Sequence, residues 1–428
     1  MPIVFLNKMK GDVRIEKIVV KRNKIEKKLK TNFKKKYSII TIIISILYFA
    51  LIISTEFTYK KKLFDKSIKF QEDLREKYDK EGGFYKFWNF FSFFGNNIFC
   101  FGVFFVIFIF FPLNSSFLVL QSLNFADYLT NLFKIIYRNP RPYWKSDRLD
   151  IVCNSGYGNP SGHSVIGLSF YLVLSHVFTN FDFFRKNKKG QILRIIIFCF
   201  FSVLIVLIII SRFFLSAHSI NQIIYGTLLG IVIYFLEIHI ISYHTYSSKD
   251  FIKHIINKNV IFIYFIIYAL LLGLLLVAYF CFDDNKILEN FIFENIVNGE
   301  RCHTKRKYQV LKTTGFTQAL GITSLIGAHL GIILLIYVLK KFKYKIDNIN
   351  KFNRTSIKKW FMRLPILILS VIFVILYIAV PESSPLAIIV IFKFALPFFL
   401  TAFGFYFFGV FICVSFNLVN NDIIKLSK

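Results

Sequence analysis

The chain has 428 residues, 55% of them hydrophobic and 55 of them phenylalanine, with a mean hydropathy of +0.56. A soluble core cannot hide that much apolar surface, so composition excludes an ordinary globular enzyme and points to a polytopic membrane protein. The net charge of +30 does not indicate nucleic acid, because the basic residues lie in a tail and in loops between apolar segments, without stacking aromatics or a binding fold.

The first 37 residues form a lysine-rich tail that also carries Asp12, Glu16 and Glu26 and runs into an apolar span, unlike an organelle presequence. A bilayer-spanning helix needs roughly 20 apolar residues, and about ten segments qualify. They fall near 38–56, 87–111, 117–137, 162–181, 192–211, 219–242, 259–281, 314–339, 361–380 and 386–416. The expected fold is therefore all-α and polytopic, with about ten transmembrane helices. Its parts are a basic tail at 1–37, a membrane core at 38–243 holding the polar motifs, and further transmembrane helices at 244–428.

Between the first two spans, Tyr59 to Phe84 carries mixed charge and predicts a short amphipathic helix ending at Gly82-Gly83, placed to cover the mouth of a site on that face. A cytosolic tail puts Arg185, Lys186, Lys188 and Lys189 inside, together with Lys340, Lys341, Lys343, Lys345, Lys358 and Lys359. Both termini are then cytosolic. The polar clusters described next all face the opposite, non-cytosolic compartment. The six cysteines follow no metal-binding spacing, so no structural zinc is expected. Cys153, Cys281 and Cys302 fall in or near non-cytosolic segments, and their disulfide status is open.

Lys134 lies at the outer end of the third span, seven residues before Arg141. Pro140 and Pro142 keep Arg141 out of helix, so its guanidinium is expected to turn back toward Lys134 and make a two-point grip on phosphate. Interfacial anchoring by snorkelling side chains is the alternative. Pro160-Ser161-Gly162-His163 opens the fourth span, where free backbone amides favour an anion, Gly162 permits close approach, and His163 suits proton transfer. A plain capped helix start is the alternative there. Ser211-Arg212 closes the fifth span and His218 opens the sixth, at a depth where an unpaired charge is costly. Asp127 shares a face with Lys134 and is expected to pair with a cation of the site, or else to hydrogen-bond a neighbouring helix.

These residues resemble the type 2 phosphatidic acid phosphatases, a superfamily that includes glucose-6-phosphatases and sphingosine-phosphate phosphatases. Lys134, Arg141 and Pro142 meet its first motif, Pro160 to His163 its second, and Ser211, Arg212 and His218 its third. The resemblance implies a six-helix catalytic core in which His218 attacks phosphorus to form a phosphohistidine. Lys134, Arg141, Arg212, Ser161 and Gly162 would hold the phosphoryl oxygens, and His163 would protonate the leaving oxygen. It implies no metal and no cofactor. The implied partners are membrane lipids and a phosphate-ester substrate, and oligomeric state is not legible.

One departure stands out, because most of the family has aspartate four residues after the nucleophile and this chain has Gln222, which can orient His218 but not neutralise it. Glutamine there, Asp127 and Arg141-Pro142-Tyr143-Trp144 are similar to the glucose-6-phosphatase branch; the Lys393-Phe394-Ala395-Leu396-Pro397 segment is so more loosely. Gly95-Asn96-Asn97 and His218-Ser219-Ile220 resemble the sphingosine-phosphate phosphatases. The expectation favours lipid phosphates, with sugar phosphate second and an inactive scaffold or a transporter as the reading from another class. The expected location is the endoplasmic reticulum, with a lumenal site.

Overall fold

The computed structural model describes residues 58–78, 82–146, 148–149, 156–179, 188–238, 248–281, 315–342, 362–367 and 386–416, with single positions between 43 and 54 and between 375 and 380. Every regular element among them is helical. In chain order they are α1 over 58–77, α2 Gly83–Phe94, α3 Asn97–Phe110, α4 Leu113–Tyr137, the one-turn α5 Pro142–Lys145, and α6 Gly162–Thr179. There follow α7 Lys188–Phe214, α8 Ile220–Leu236, α9 Ser248–Ile255, α10 Lys258–Cys281, α11 Gly315–Lys341 and α12 Ile389–Ser415.

Five of the described helices, α6, α7, α10, α11 and α12, are long and apolar enough to cross a membrane, and the bent pair α2–α3 makes six. Their exposed faces are what a bilayer requires: α7 presents Ile192, Ile195, Phe198 and Val203, and α10 presents Phe262, Phe265, Leu270 and Phe280. Contiguous apolar surface on that scale belongs against lipid, and the protein is a membrane protein. The expected spans at 38–56 and 361–380 lie largely outside the described residues.

The structure differs from the sequence-based expectation at 87–111, which reads as one span. It is two helices bent by 45°. Gly95 closes α2, with its N–H returning to Ser92 O at 3.0 Å, and the Asn96 side chain caps α3 by accepting from Ile98 N at 3.0 Å. Both halves are apolar, so hydropathy does not show the break.

Helix α4 is central and more polar than the others because nearly all of it is buried in protein rather than lipid. Two of its side-chain amides donate to the helix's own carbonyls, Asn124 to Leu120 O at 2.8 Å and Asn131 to Asp127 O at 2.9 Å. Helix α6 packs against α4, α7 and α8, and α11 packs along α12. Small residues set the closest approaches. A β-carbon on Gly226 would sit 2.7 Å from Ser161 O, and one on Gly230 would sit 2.8 Å from Val165 O, so α8 lies directly on the backbone of α6. One continuous apolar core, from Cys100 on α3 to Cys413 on α12, joins the phosphate-motif helices to the C-terminal ones.

Among the described residues Cys100, Cys199, Cys281 and Cys413 are free thiols, and Cys281 closes α10 at an exposed position. Cys153 and Cys302 lie outside the described residues.

Candidate active site

The three polar clusters meet at one end of the α4–α6–α7–α8 bundle. Lys134, in the last turn of α4, reaches the N-terminus of α6, its Nζ 3.7 Å from where a β-carbon on Gly162 would be. The Gly162 and His163 N–H groups precede the first intrahelical donors, Ser164 and Val165, whose N–H groups both go to Ser161 O at 3.1 Å. An open helix start beside an ammonium is a site for an anion.

Arg141 is extended (φ −87°, ψ 158°), as its flanking prolines dictate. Its guanidinium lies within electrostatic reach of Lys134 and is anchored on the third cluster and the segment before the second, Nε donating to Gly156 O at 2.7 Å and Nη1 to Ala217 O at 3.1 Å and to the ring of His218 at 3.2 Å.

His218 sits in a tight turn after α7, where Ser216 adopts φ +53° and the N–H groups of Ala217 and His218 both return to Arg212 O, at 3.2 and 3.3 Å. His218 and Arg212 are thereby fixed to each other through one carbonyl. The Nδ1 of His218 is 2.8 Å from Gly158 O, an atom that can only accept, which assigns the proton to Nδ1 and the lone pair to Nε2. Burial, followed by the charges of Arg141, Arg212 and Lys134, holds this imidazole well below its ordinary pKa, so it is neutral.

Gln222 staples all three motifs. Its Nε2 donates to Pro140 O at 2.7 Å, its Oε1 accepts from Ser219 N at 3.3 Å and stands 3.3 Å from His218 Nδ1, and its backbone O accepts from Ser161 N at 3.1 Å. The shorter contact to His218 belongs to Gly158 O. The orienting role expected of Gln222 is thus shared with a backbone carbonyl that sequence reasoning missed. Its only trace in the sequence is Gly156-Tyr157-Gly158 just before the second motif.

His163 faces Gly95, where a β-carbon would come within 3.0 Å of its Cδ2, and lies within electrostatic reach of Arg212, Lys134 and Arg141. Ser161 Oγ accepts from Ser164 Oγ at 3.0 Å. Arg212 is buried on α7, with Nη1 donating to Ser92 Oγ and with its Nε left unpartnered. Asp127 is held by amides rather than by a cation in contact. Its Oδ1 accepts from Asn97 at 2.8 Å and from Asn131 at 3.0 Å, and it lies two turns below Lys134, to which it is coupled only electrostatically.

The expected helix forms, as α1, and packs against the His218 turn. Gln71 of α1 donates through Nε2 to Phe213 O at 3.0 Å and to His218 O at 2.9 Å. Among the described residues, no carboxylate forms an ion pair with Lys134, Arg141 or Arg212, and no three His, Cys, Asp or Glu side chains group to hold a metal.

Fold and site together define an all-helical membrane protein in which three cations and two histidines gather at one end of a helix bundle. Residues 115–246 match the model of the PAP2 superfamily. It is 29% identical over 144 residues to the glucose-6-phosphatase catalytic subunit 1 of Bos taurus and to that of Felis catus, and 28% identical to that of Canis lupus familiaris. Each match covers 29% of this chain and 40% of the relative, so the chain spans less than half the length of these curated relatives. No solved structure matches.

Proposed function

We propose that this protein is a membrane phosphomonoesterase that works through a phosphohistidine and needs no metal. The lone pair on His218 Nε2 attacks phosphorus while His163 protonates the departing ester oxygen. Water then attacks the phosphohistidine with His163 as base, releasing inorganic phosphate and restoring both rings. Lys134, Arg212 Nε, the Nη2 donors of Arg141 and the Gly162 amide hold the phosphoryl oxygens as charge develops on them. The observation that carries this reading is the unpartnered Nε of buried Arg212, among three cations with which no carboxylate of the described residues forms an ion pair. A buried donor of that kind is costly unless an anion arrives to accept from it.

The relatives named glucose-6-phosphatase shift the substrate reading toward a sugar phosphate, with glucose 6-phosphate as the first compound to try. Gly95-Asn96-Asn97, which bends α2–α3 beside His163, keeps lipid phosphates as the second. We assign the site to the non-cytosolic face, as the charge bias supports, and the membrane to the endoplasmic reticulum by the superfamily resemblance alone.

The test is phosphate release by the detergent-purified full chain from glucose 6-phosphate, phosphatidate and sphingosine 1-phosphate in EDTA, beside His218→Ala. Release from one ester, abolished by the substitution, is the expected result. Release that survives His218→Ala, or folded protein that releases phosphate from none of the three, overturns it.

A further inference from the structure

Helix α1 lies outside the segment that matches the superfamily, yet it grips both loops that carry the site. Ser67 and Gln71, one turn apart, face the 213–220 segment. Ser67 Oγ accepts from Ile220 N at 3.0 Å, supplying a cap for α8 from 153 residues away, and both Gln71 Nε2 hydrogens go to carbonyls of the His218 turn. Phe70 stacks on Phe213 at 5.5 Å. Glu72 and Glu76 form the next row of the helix and face the segment that follows Arg141. Glu72 accepts from Ser146 Oγ, and Glu76 accepts from Arg148 Nη1 at 2.5 Å. Lys145 of the same segment lies over the ring of Phe64 at 5.7 Å.

The two rows carry unequal weight. The Glu76–Arg148 pair is about two-thirds exposed and contributes little. Gln71 and Ser67 are buried at 1% and 0% exposure, where each polar bond is costly to lose. The carbonyl of His218 has its place set by Gln71, while its ring is set by Gly158 O and Arg141. The backbone and the imidazole of the nucleophile are thus held from opposite directions.

We infer that α1 is a strut that holds the His218 turn in register with the Arg141 segment, and that Gln71 is a positioning residue for the nucleophile. This rests on the phosphatase reading above. Loss of the Gln71 bonds frees the turn to shift by a fraction of an ångström to an ångström, a misplacement that costs on the order of 10- to 100-fold in rate while ground-state phosphate contacts persist.

The experiment uses the full chain in detergent with Gln71→Met, which keeps the side chain's length and flexibility and removes both donors. Two readouts are taken, glucose 6-phosphate turnover and backbone hydrogen exchange of residues 213–220. The expected result is faster exchange in that segment, a kcat lower by about 10- to 100-fold and a KM changed by less than about threefold. Unchanged exchange in folded Gln71→Met overturns the strut, and faster exchange with wild-type kcat overturns the catalytic consequence. Should Gln71→Met not fold, Ser67→Ala removes the acceptor for Ile220 N and is read by the same exchange criterion. Full activity in His218→Ala would sink the phosphohistidine reading instead, and the exchange result would still decide the strut.

Discussion

Arg141 Nη1 and His218 Nε2 lie 3.2 Å apart, so the lone pair of the proposed nucleophile points at a cation from another motif. One hydrogen of Nη1 goes to Ala217 O and the other to that lone pair, while Nε holds Gly156 O. The guanidinium fork therefore ties the first motif to the segments that flank the second and third. Lysine offers one point charge and cannot serve three acceptors set out in a plane. Arg141→Lys should lower kcat/KM by about 100-fold, roughly 2.7 kcal/mol of transition-state stabilisation, with little change in melting temperature. Activity within fivefold of wild type would show that charge alone suffices there.

The same proximity sets a pH dependence. Burial and the neighbouring cations depress the His218 pKa, so in the free protein the ring stays neutral as the medium falls below about pH 6.5, the ordinary imidazole value. The acid limb of kcat/KM should lie below that value. Removing a repelling cation by Arg141→Gln should move it upward, which a profile of the residual activity from pH 4 to 9 reads directly. Folding stability follows the same sign: the His218 contribution is fully present above about pH 6.5 and is lost as pH falls toward the depressed folded value.

Gln222 invites a misleading repair. Aspartate at this position in most of the superfamily suggests that an acidic residue would improve the enzyme, but Gln222 Nε2 donates to Pro140 O at 2.7 Å. In Gln222→Glu a carboxylate oxygen would meet that carbonyl, two acceptors with no proton between them. The variant should lose about tenfold or more in kcat, and raising the charge near His218 should not compensate. A gain in phosphate release by Gln222→Glu would show that neutralising His218 matters more than the staple.

Much of the site was legible because its chemistry resides in side chains that are out of place in apolar surroundings. Lys134, Arg141, His163, Arg212 and His218 all interrupt hydrophobic runs, and the structure brings them together. What was not legible acts through the backbone or through distance. Gly156 and Gly158 contribute carbonyls, which every residue has, and Gln71 works on a turn 142 to 147 residues away. The bend at Gly95-Asn96 hides between two equally apolar halves, and α4 reads as an ordinary span although its polar face is sealed inside the bundle.

Gly158 gives the sharpest test of that backbone chemistry. A β-carbon there would lie 2.5 Å from Gln222 Nε2 and 2.7 Å from Pro140 O, closer than atoms can pack, and Pro140 O is backbone. Gly158→Ala must therefore push the 156–158 segment away from the α8 N-terminus, carrying Gly158 O off His218 Nδ1. With its Nδ1 partner displaced, the ring is free to rotate or change tautomer, and the lone pair no longer faces the site. The substitution should cost about 100-fold or more in kcat, an effect of the size seen when the orienting partner of a catalytic histidine is lost. Gly226→Ala, whose β-carbon would press on Ser161 O, should act by overpacking instead, costing about 1–3 kcal/mol of stability and lowering the melting temperature. Measuring kcat and melting temperature on both variants separates a misdirected nucleophile from a loosened bundle. Normal turnover in Gly158→Ala would mean that Gln222 alone orients His218.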